Sequence, residues 1–211
     1  MYDFAKRWTD IVGSVLGLIL LSPIFLLVAI AIKLDSPGPI LADTPMRVGQ
    51  HRKLFKMYKF RSMIANAHRI LRTDPSFKKL YSEYKKSNYK LTKDPRITPV
   101  GKIIRKYSLD ELPQLINVLR GEMSLVGPRA YYPDELNEQQ KNYPESQKYV
   151  DIILSGKPGL TGLWQVTGRS EIDFKKRVQM DTAYIQRKSV LYDLLIILKT
   201  VPAVISGRGA V

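Results

Sequence analysis

The sequence predicts a helix-dominated α+β fold seated on a membrane: an N-terminal re-entrant helical hairpin, with interfacial amphipathic helices around a small cytoplasmic domain. Three observations carry that expectation. An uncharged apolar run, Ile11 to Ile32, is interrupted at its centre by Ser22-Pro23. Basic residues stand on both sides of that run. Beyond it, apolar positions recur at helical spacing in segments cut short by proline and glycine, with room for only short strands.

The apolar run comes first. At about 1.5 Å per residue its length just matches a ~30 Å hydrocarbon core. It is too long for a signal-peptide core, and soluble helices seldom run so far without a polar face. Pro23 removes a backbone donor and clashes with the preceding turn, so the helix should kink there. The Ser22 hydroxyl is placed to satisfy a carbonyl freed by the break. Lys6 and Arg7 precede the run and Lys33 follows it. Cytoplasmic flanks attract Lys and Arg, and a helix that bends at Ser22-Pro23 and returns to the same face satisfies both flanks. The division expected is a hairpin over 1–36 and a second domain over 37–211.

Within the second domain, Pro37-Gly38-Pro39 should turn the chain onto the surface. Leu54 to Phe60 reads as a short strand. Ser62 to Tyr84 is helical with a break near Asp74-Pro75, and Lys85 to Pro99 is a basic loop. Gly101 to Arg120 is helical in pattern, interrupted by Pro113. Tyr132 to Tyr149 should be a polar surface helix. The glycine-rich stretch 155–169 is expected to contain no regular helix. Phe174 to Arg187 is a charged helix, and Val190 to Ile205 suits a helix at a membrane interface or one docked on the core.

Composition narrows the chemistry. Lys and Arg outnumber Asp and Glu by 34 to 19, and the net charge is +15. From Arg47 to Lys106 there are 18 Lys or Arg against three acids, Asp74, Glu83 and Asp94. So local a surplus implies a polyanionic partner: nucleic acid, an anionic membrane surface or a phosphorylated substrate. There is no cysteine, which removes disulfides, thiolate zinc sites and thiol nucleophiles. With two histidines, His51 and His68, a Ser-His-Asp hydrolase or a His-rich metal centre is a poor fit.

Ser108-Leu109-Asp110-Glu111-Leu112-Pro113 carries the most chemistry. Ser and Glu at that spacing fit a capping box, but Pro113 is ill placed for the helix such a box would start. Two adjacent carboxylates beside Arg105 and Lys106 fit another role. One can attack phosphorus while its neighbour holds Mg²⁺ against a diphosphate. Val126-Gly127-Pro128-Arg129 is a tight turn presenting a guanidinium suited to phosphate oxygens. Gly156, Gly159, Gly162 and Gly168, followed by Arg169, form a loop able to bring backbone N–H groups to an anion, although it is neither a Rossmann fingerprint nor a P-loop. Lys59 and Arg61 add cations after the expected strand.

Together these motifs resemble the bacterial sugar transferase family, the monotopic phosphoglycosyl transferases that load a phosphosugar onto undecaprenyl phosphate. The resemblance covers nearly the whole chain. It runs from Lys6-Arg7, Asp10 and the Ser22-Pro23 break through Pro37-Gly38-Pro39, Arg47-Val48-Gly49, Lys59-Phe60-Arg61-Ser62-Met63 and Asp94-Pro95-Arg96-Ile97-Thr98. RKYSLDELPQ (Arg105 to Gln114) is the strongest match, followed by MSLVGPR, KPGLTGLWQVTGR and Asp181 to Tyr184.

The resemblance implies roles. Asp110 would be the nucleophile toward a UDP-sugar, releasing UMP, and Glu111 would bind Mg²⁺. Lys59, Arg61, Arg105, Arg129 and Arg169 would handle phosphates, and Asp181 would be a further acidic position of the site. The acceptor would be polyprenyl phosphate, and the partners membrane lipids rather than nucleic acid. The location implied is the bacterial inner membrane, with the catalytic domain on its cytoplasmic face. Two departures stand out: Ala130 replaces the second proline of P-R-P, and Ala42 to Met46 lacks the aromatic and Gln residues common there. A basic, membrane-tethered nucleic-acid binder would account for the charge but not for DELPQ or VGPR. A scaffold without activity is at odds with the retained Asp110-Glu111 pair.

Overall fold

The computed structural model of the protein describes residues 2–87, 89, 91, 93–168 and 172–207. It is helix-dominated, with two small sheets. Helices α1 (Tyr2–Leu20) and α2 (Ser22–Asp35) form the N-terminal pair. Strands β1 (Arg47–Val48) and β2 (Leu54–Phe55) pair antiparallel, Arg47 opposite Phe55. Next come α3 (Ala67–Thr73), α4 (Lys78–Lys86), α5 (Pro99–Lys106) and α6 (Gln114–Leu119). Strand β3 (Ser124–Val126) pairs in parallel with β4 (Gly159–Thr161), and α7 (Pro133–Asn142) and α8 (Gln147–Ile153) lie in the connection between them. The chain closes with α9 (Leu163–Thr167), α10 (Phe174–Arg187) and α11 (Val190–Ser206).

Helices α1 and α2 meet at an angle of 60°. The cause is local. Pro23 has no N–H for the carbonyl of Ile19, four residues back, and the Ser22 hydroxyl donates to that carbonyl instead, at 2.8 Å. Backbone bonds on either side of the gap continue, from Leu21 to Gly17 and from Phe25 to Leu21, both 2.9 Å. Among the described residues no single helix is long and apolar enough to cross a membrane, whereas this bent pair together meets that test.

Both ends of the pair are fastened to the same body. Near the start, Arg7 donates to the carbonyls of Val118 and Leu119, both at 2.7 Å, and so closes the C-terminal end of α6. Asp10 accepts from the Ser124 hydroxyl and the Leu125 N–H, each at 2.9 Å. Lys6 reaches Asp193 of α11 at 2.7 Å. At the far end Val28 and Ile32 bury against Phe60 and Ile104, at about 1.5–3 kcal/mol for each fully buried aliphatic side chain. The surfaces of α1 are inverted relative to a soluble helix: its buried residues are Asp10 and Ser14, while Phe4, Trp8, Val12, Leu16 and Ile19 are exposed.

Other elements depart from expectation in instructive ways. The strand expected over Leu54 to Phe60 stops at Phe55; Phe60 makes only an isolated bridge to Leu41. The stretch 155–169 does hold regular structure, β4 and the five-residue α9. Its glycines allow close backbone approach rather than disorder. A Cβ on Gly159 would stand 2.1 Å from the Gly127 nitrogen, so β3 and β4 pair only because both positions lack one. The polar helix expected over Tyr132 to Tyr149 is two helices, parted by a turn at Pro144–Ser146. Helix α11 is docked on the core by one side only: Asp193 and Ile196 are buried, while Leu191, Leu194, Leu195, Leu198, Val201 and Ile205 are exposed.

Candidate active site

The segment between α5 and α6 is not the capped helix that S-x-x-E suggested. Ser108 takes a left-handed conformation, φ 54°, and makes no side-chain cap. Its carbonyl instead accepts from the Glu111 N–H at 3.1 Å. A left-handed serine is a costly local choice; with Pro113 it confines Leu109–Glu111 to one tight turn. That turn holds Asp110 and Glu111 side by side and points them differently. The Asp110 side chain is 8% exposed and that of Glu111 29%.

Lys59 joins them. Its ammonium donates to Glu111 Oε1 at 2.7 Å and lies 3.6 Å from Asp110 Oδ2. The backbone secures this pairing, because the Phe60 N–H donates to the Asp110 carbonyl at 2.9 Å. Burial works against charge on Lys59, but Glu111 and Asp110 outweigh it and hold the ammonium's pKa above its ordinary value. For Asp110 burial is the larger influence and raises the carboxyl's pKa; the Lys59 cation pulls it back only in part. Added positive charge beside Asp110 therefore favours its carboxylate.

Asp110 lines a cavity of about 140 Å³ with Lys59, Arg61, Arg105, Arg47 and His68. Arg47 lies 3.3 Å above the Tyr132 ring centroid and donates to the Ala130 carbonyl. His68 is kept neutral: burial first, then the neighbouring Arg47, Arg96, Arg72 and Lys59 cations, lower its pKa to about 4. Sequence reasoning did not put Arg47 or His68 in the site. The R-V-G motif and the basic surplus held the signal for Arg47; nothing distinguished His68.

The expected substrate residues are not equivalent. Arg61 lines the cavity, but its guanidinium is engaged elsewhere. It donates to the Pro39 carbonyl at 2.6 Å, the Ser36 hydroxyl at 2.6 Å, the Ser36 carbonyl at 2.8 Å and the Ile32 carbonyl at 3.5 Å. It fastens the end of α2, a structural role that the sequence did not indicate. Arg129 and Asp181 form a second buried cluster, linked to the first through Tyr131-Tyr132. The Arg129 N–H donates to Asp181 Oδ2 at 3.0 Å, and its guanidinium stands 3.5 Å from Glu135 Oε1. Burial raises the Asp181 pKa to about 7 against the Arg129 N–H and the Arg177 and Arg129 cations. Among the described residues, Asp181 Oδ1 and Arg177 Nη1 have no hydrogen-bond partner. Arg169 lies outside the described residues.

Among the described residues no group of three or more His, Cys, Asp or Glu is arranged to hold a metal. The donor set nonetheless suits Mg²⁺, which is commonly held by one or two carboxylates and completed by substrate phosphates and water. Glu111, the more accessible of the adjacent pair, is the side chain fitted to that task.

Comparison with known proteins gives the family. The chain is 43% identical over 210 residues to the exopolysaccharide production protein ExoY of Sinorhizobium fredii, covering 98% of this chain and 88% of that protein. It is 44% identical over 211 residues to the undecaprenyl-phosphate galactose phosphotransferase of Salmonella typhimurium, covering 98% of this chain but 42% of that protein. It is 40% identical over 210 residues to the undecaprenyl-phosphate glucose phosphotransferase of Komagataeibacter xylinus, covering 97% and 36% respectively. The chain thus spans well under half the length of the two phosphotransferases. The profile of one family matches residues 1–207, a range that takes in the bent pair, the Asp110-Glu111 turn and α11 alike: the chain belongs to the bacterial sugar transferase family.

Proposed function

We propose that this protein transfers a sugar 1-phosphate from a UDP-sugar to a polyprenyl phosphate, the first membrane step in assembling a polysaccharide or glycoconjugate. The observation that carries the reading is the Asp110-Glu111 pair joined by Lys59 at a cation-lined cavity, in a chain whose relatives include undecaprenyl-phosphate sugar phosphotransferases. A carboxylate oxygen of Asp110 attacks the β-phosphorus of the UDP-sugar. The bond from that phosphorus to the bridging oxygen breaks, UMP leaves, and a phosphosugar remains on Asp110. An oxygen of polyprenyl phosphate then attacks the same phosphorus, which gives the lipid diphosphate sugar and frees the carboxylate.

Lys59, Arg105 and Arg47 supply fixed positive charge around the transferring phosphoryl group, where positioning and electrostatics do most of the work. Mg²⁺ held by Glu111 would neutralise diphosphate charge. Arg129, with Asp181 beside it, and Arg169 are the further phosphate and site residues of this reading. The bent pair is a re-entrant hairpin in it, entering and leaving the cytoplasmic face of the bacterial inner membrane. The attachment of both its ends to one body supports that, since ends on opposite faces would stand about 30 Å apart.

The deciding assay is UMP release from a panel of UDP-sugars with Mg²⁺ and undecaprenyl phosphate, comparing wild type with Asp110→Asn. Lipid- and metal-dependent UMP from one sugar, abolished in the variant, is expected; equal release by both proteins removes Asp110 from the mechanism. The hairpin is checked separately. The chain has no cysteine, so Asp3→Cys and Lys33→Cys each give a unique thiol, and both should label from the cytoplasmic side. Labelling from opposite faces would make the segment a span.

A further inference from the structure

A second cavity, about 1100 Å³, lies between α1 and α11 and runs in to the 109–112 turn. Trp8, Val12, Leu125, Val166 and Val201 are among its walls, and Glu111 is the one charged residue lining it among the described residues. It is slightly larger than the roughly 300–1,000 Å³ typical of small-molecule sites. We infer that this trough holds the isoprenoid chain of the lipid acceptor and delivers its phosphate to Asp110. The inference rests on the transfer reading above and adds the place where the hydrocarbon lies.

Three features favour that occupant over bilayer lipid in general. The trough shares a wall with the reaction cavity: Glu111 lines the first, and Lys59, bonded to Glu111 at 2.7 Å, lines the second. A lipid lying in it therefore ends at the reacting carboxylates, which a structural acyl chain has no need to reach. Its two long walls also carry exposed apolar faces, Val12 and Leu16 on α1 and Leu194 and Val201 on α11, so it opens where a bilayer meets the protein. Finally, an exposed cation stands beside its rim. Lys106 lies 5.4 Å from the ring centroid of Tyr107, which lines the trough. An apolar run that ends at the cation-lined reaction cavity matches a long prenyl chain carrying one phosphate.

The test uses the full chain in vesicles of phosphatidylethanolamine and phosphatidylglycerol. Val12→Trp with Val201→Trp narrows the trough; Leu191→Trp with Leu198→Trp adds the same bulk to the outer face of α11, outside it. KM is measured for undecaprenyl phosphate and for geranyl phosphate, which is too short to fill the trough. The trough variant should raise the ratio of the two KM values at least tenfold, while the outer-face variant matches wild type. Equal behaviour of the two variants, or a trough variant that handles undecaprenyl phosphate normally, overturns the inference. Independently of variant folding, a polyprenyl phosphate bearing a diazirine on its chain should label wild-type peptides containing Val12 or Val201. Labelling confined to the Leu191 and Leu198 face overturns it. A wild type that releases no UMP burst from any UDP-sugar before acceptor is added refutes the transfer reading itself, and the inference falls with it.

Discussion

Replacing Arg61 by alanine separates two roles that a basic residue beside an active site can have. Three of its bonds, to Pro39, to the Ser36 hydroxyl and to the Ser36 carbonyl, are 2.6–2.8 Å long. A hydrogen bond from a charged donor nets about 1.5–3 kcal/mol, so the three together would come to roughly 5–9 kcal/mol. Ser36 is half-buried and Pro39 exposed, so water replaces part of what is lost and leaves about 2–4 kcal/mol. For a chain of this size each kcal/mol moves Tm by about 2–4 °C, which predicts a fall of roughly 5–15 °C. Thermal unfolding by tryptophan fluorescence in nanodiscs, alongside KM for the UDP-sugar measured well below the transition, checks it. The expected result is a lowered Tm with KM within about threefold of wild type, and an intermediate Tm for Arg61→Lys. An unchanged Tm with KM raised tenfold or more would refute the fastening role and return Arg61 to the substrate.

Two further predictions concern protons. Asp181 is raised from 3.8 to about 7 by burial, so its contribution to stability is fully present below pH 3.8 and lost as pH rises to about 7. The shift corresponds to something on the order of 4 kcal/mol. Asp181→Asn should match wild type in Tm only near pH 3.5, exceed it by a few degrees at pH 5 and by roughly 8–16 °C at pH 8; a difference that does not change with pH would refute the assignment. Lys59→Met removes the cation that restrains the Asp110 pKa, so the acid limb of the rate profile for UMP release should move to higher pH. A uniform loss at every pH would mean that Lys59 acts on the substrate alone.

What could be read from the sequence was what the backbone decides locally. Pro23 dictates a bend wherever it stands in a helix, and the Ser22 hydroxyl bond to Ile19 follows from the same missing donor. Pro113 forbids a continuous helix over Gly101 to Arg120, and Leu109–Glu111 is where the helix gives way. Phe174 to Arg187 forms a helix over the span its pattern gives. Lys59 and Arg61 show the limit. Two residues apart in one basic stretch, they look alike in sequence, yet one meets two carboxylates and the other the carbonyls at the end of α2. The difference lies in which distant segment arrives beside each. The same holds for Asp10, whose partners Ser124 and Leu125 are 114 and 115 residues away. For 155–169, counting glycines as breakers hid their other use, the close contact that pairs β4 with β3.

The inverted surface of α1 also sets an order of events during synthesis. This helix is made well before its partners: Asp193, which binds Lys6, comes 187 residues later. At roughly 5–20 residues per second that is a wait of about 10–40 s. For the first hundred or so residues of that wait the partners of Arg7 and Asp10 do not yet exist either, and Trp8, Val12 and Leu16 stay exposed even in the finished fold. In the re-entrant reading proposed above, lipid covers the apolar side in that interval, and the bilayer takes up the N-terminal segment before the rest of the fold can close on it. On that reading the membrane serves as a template for folding before it serves as a place of work.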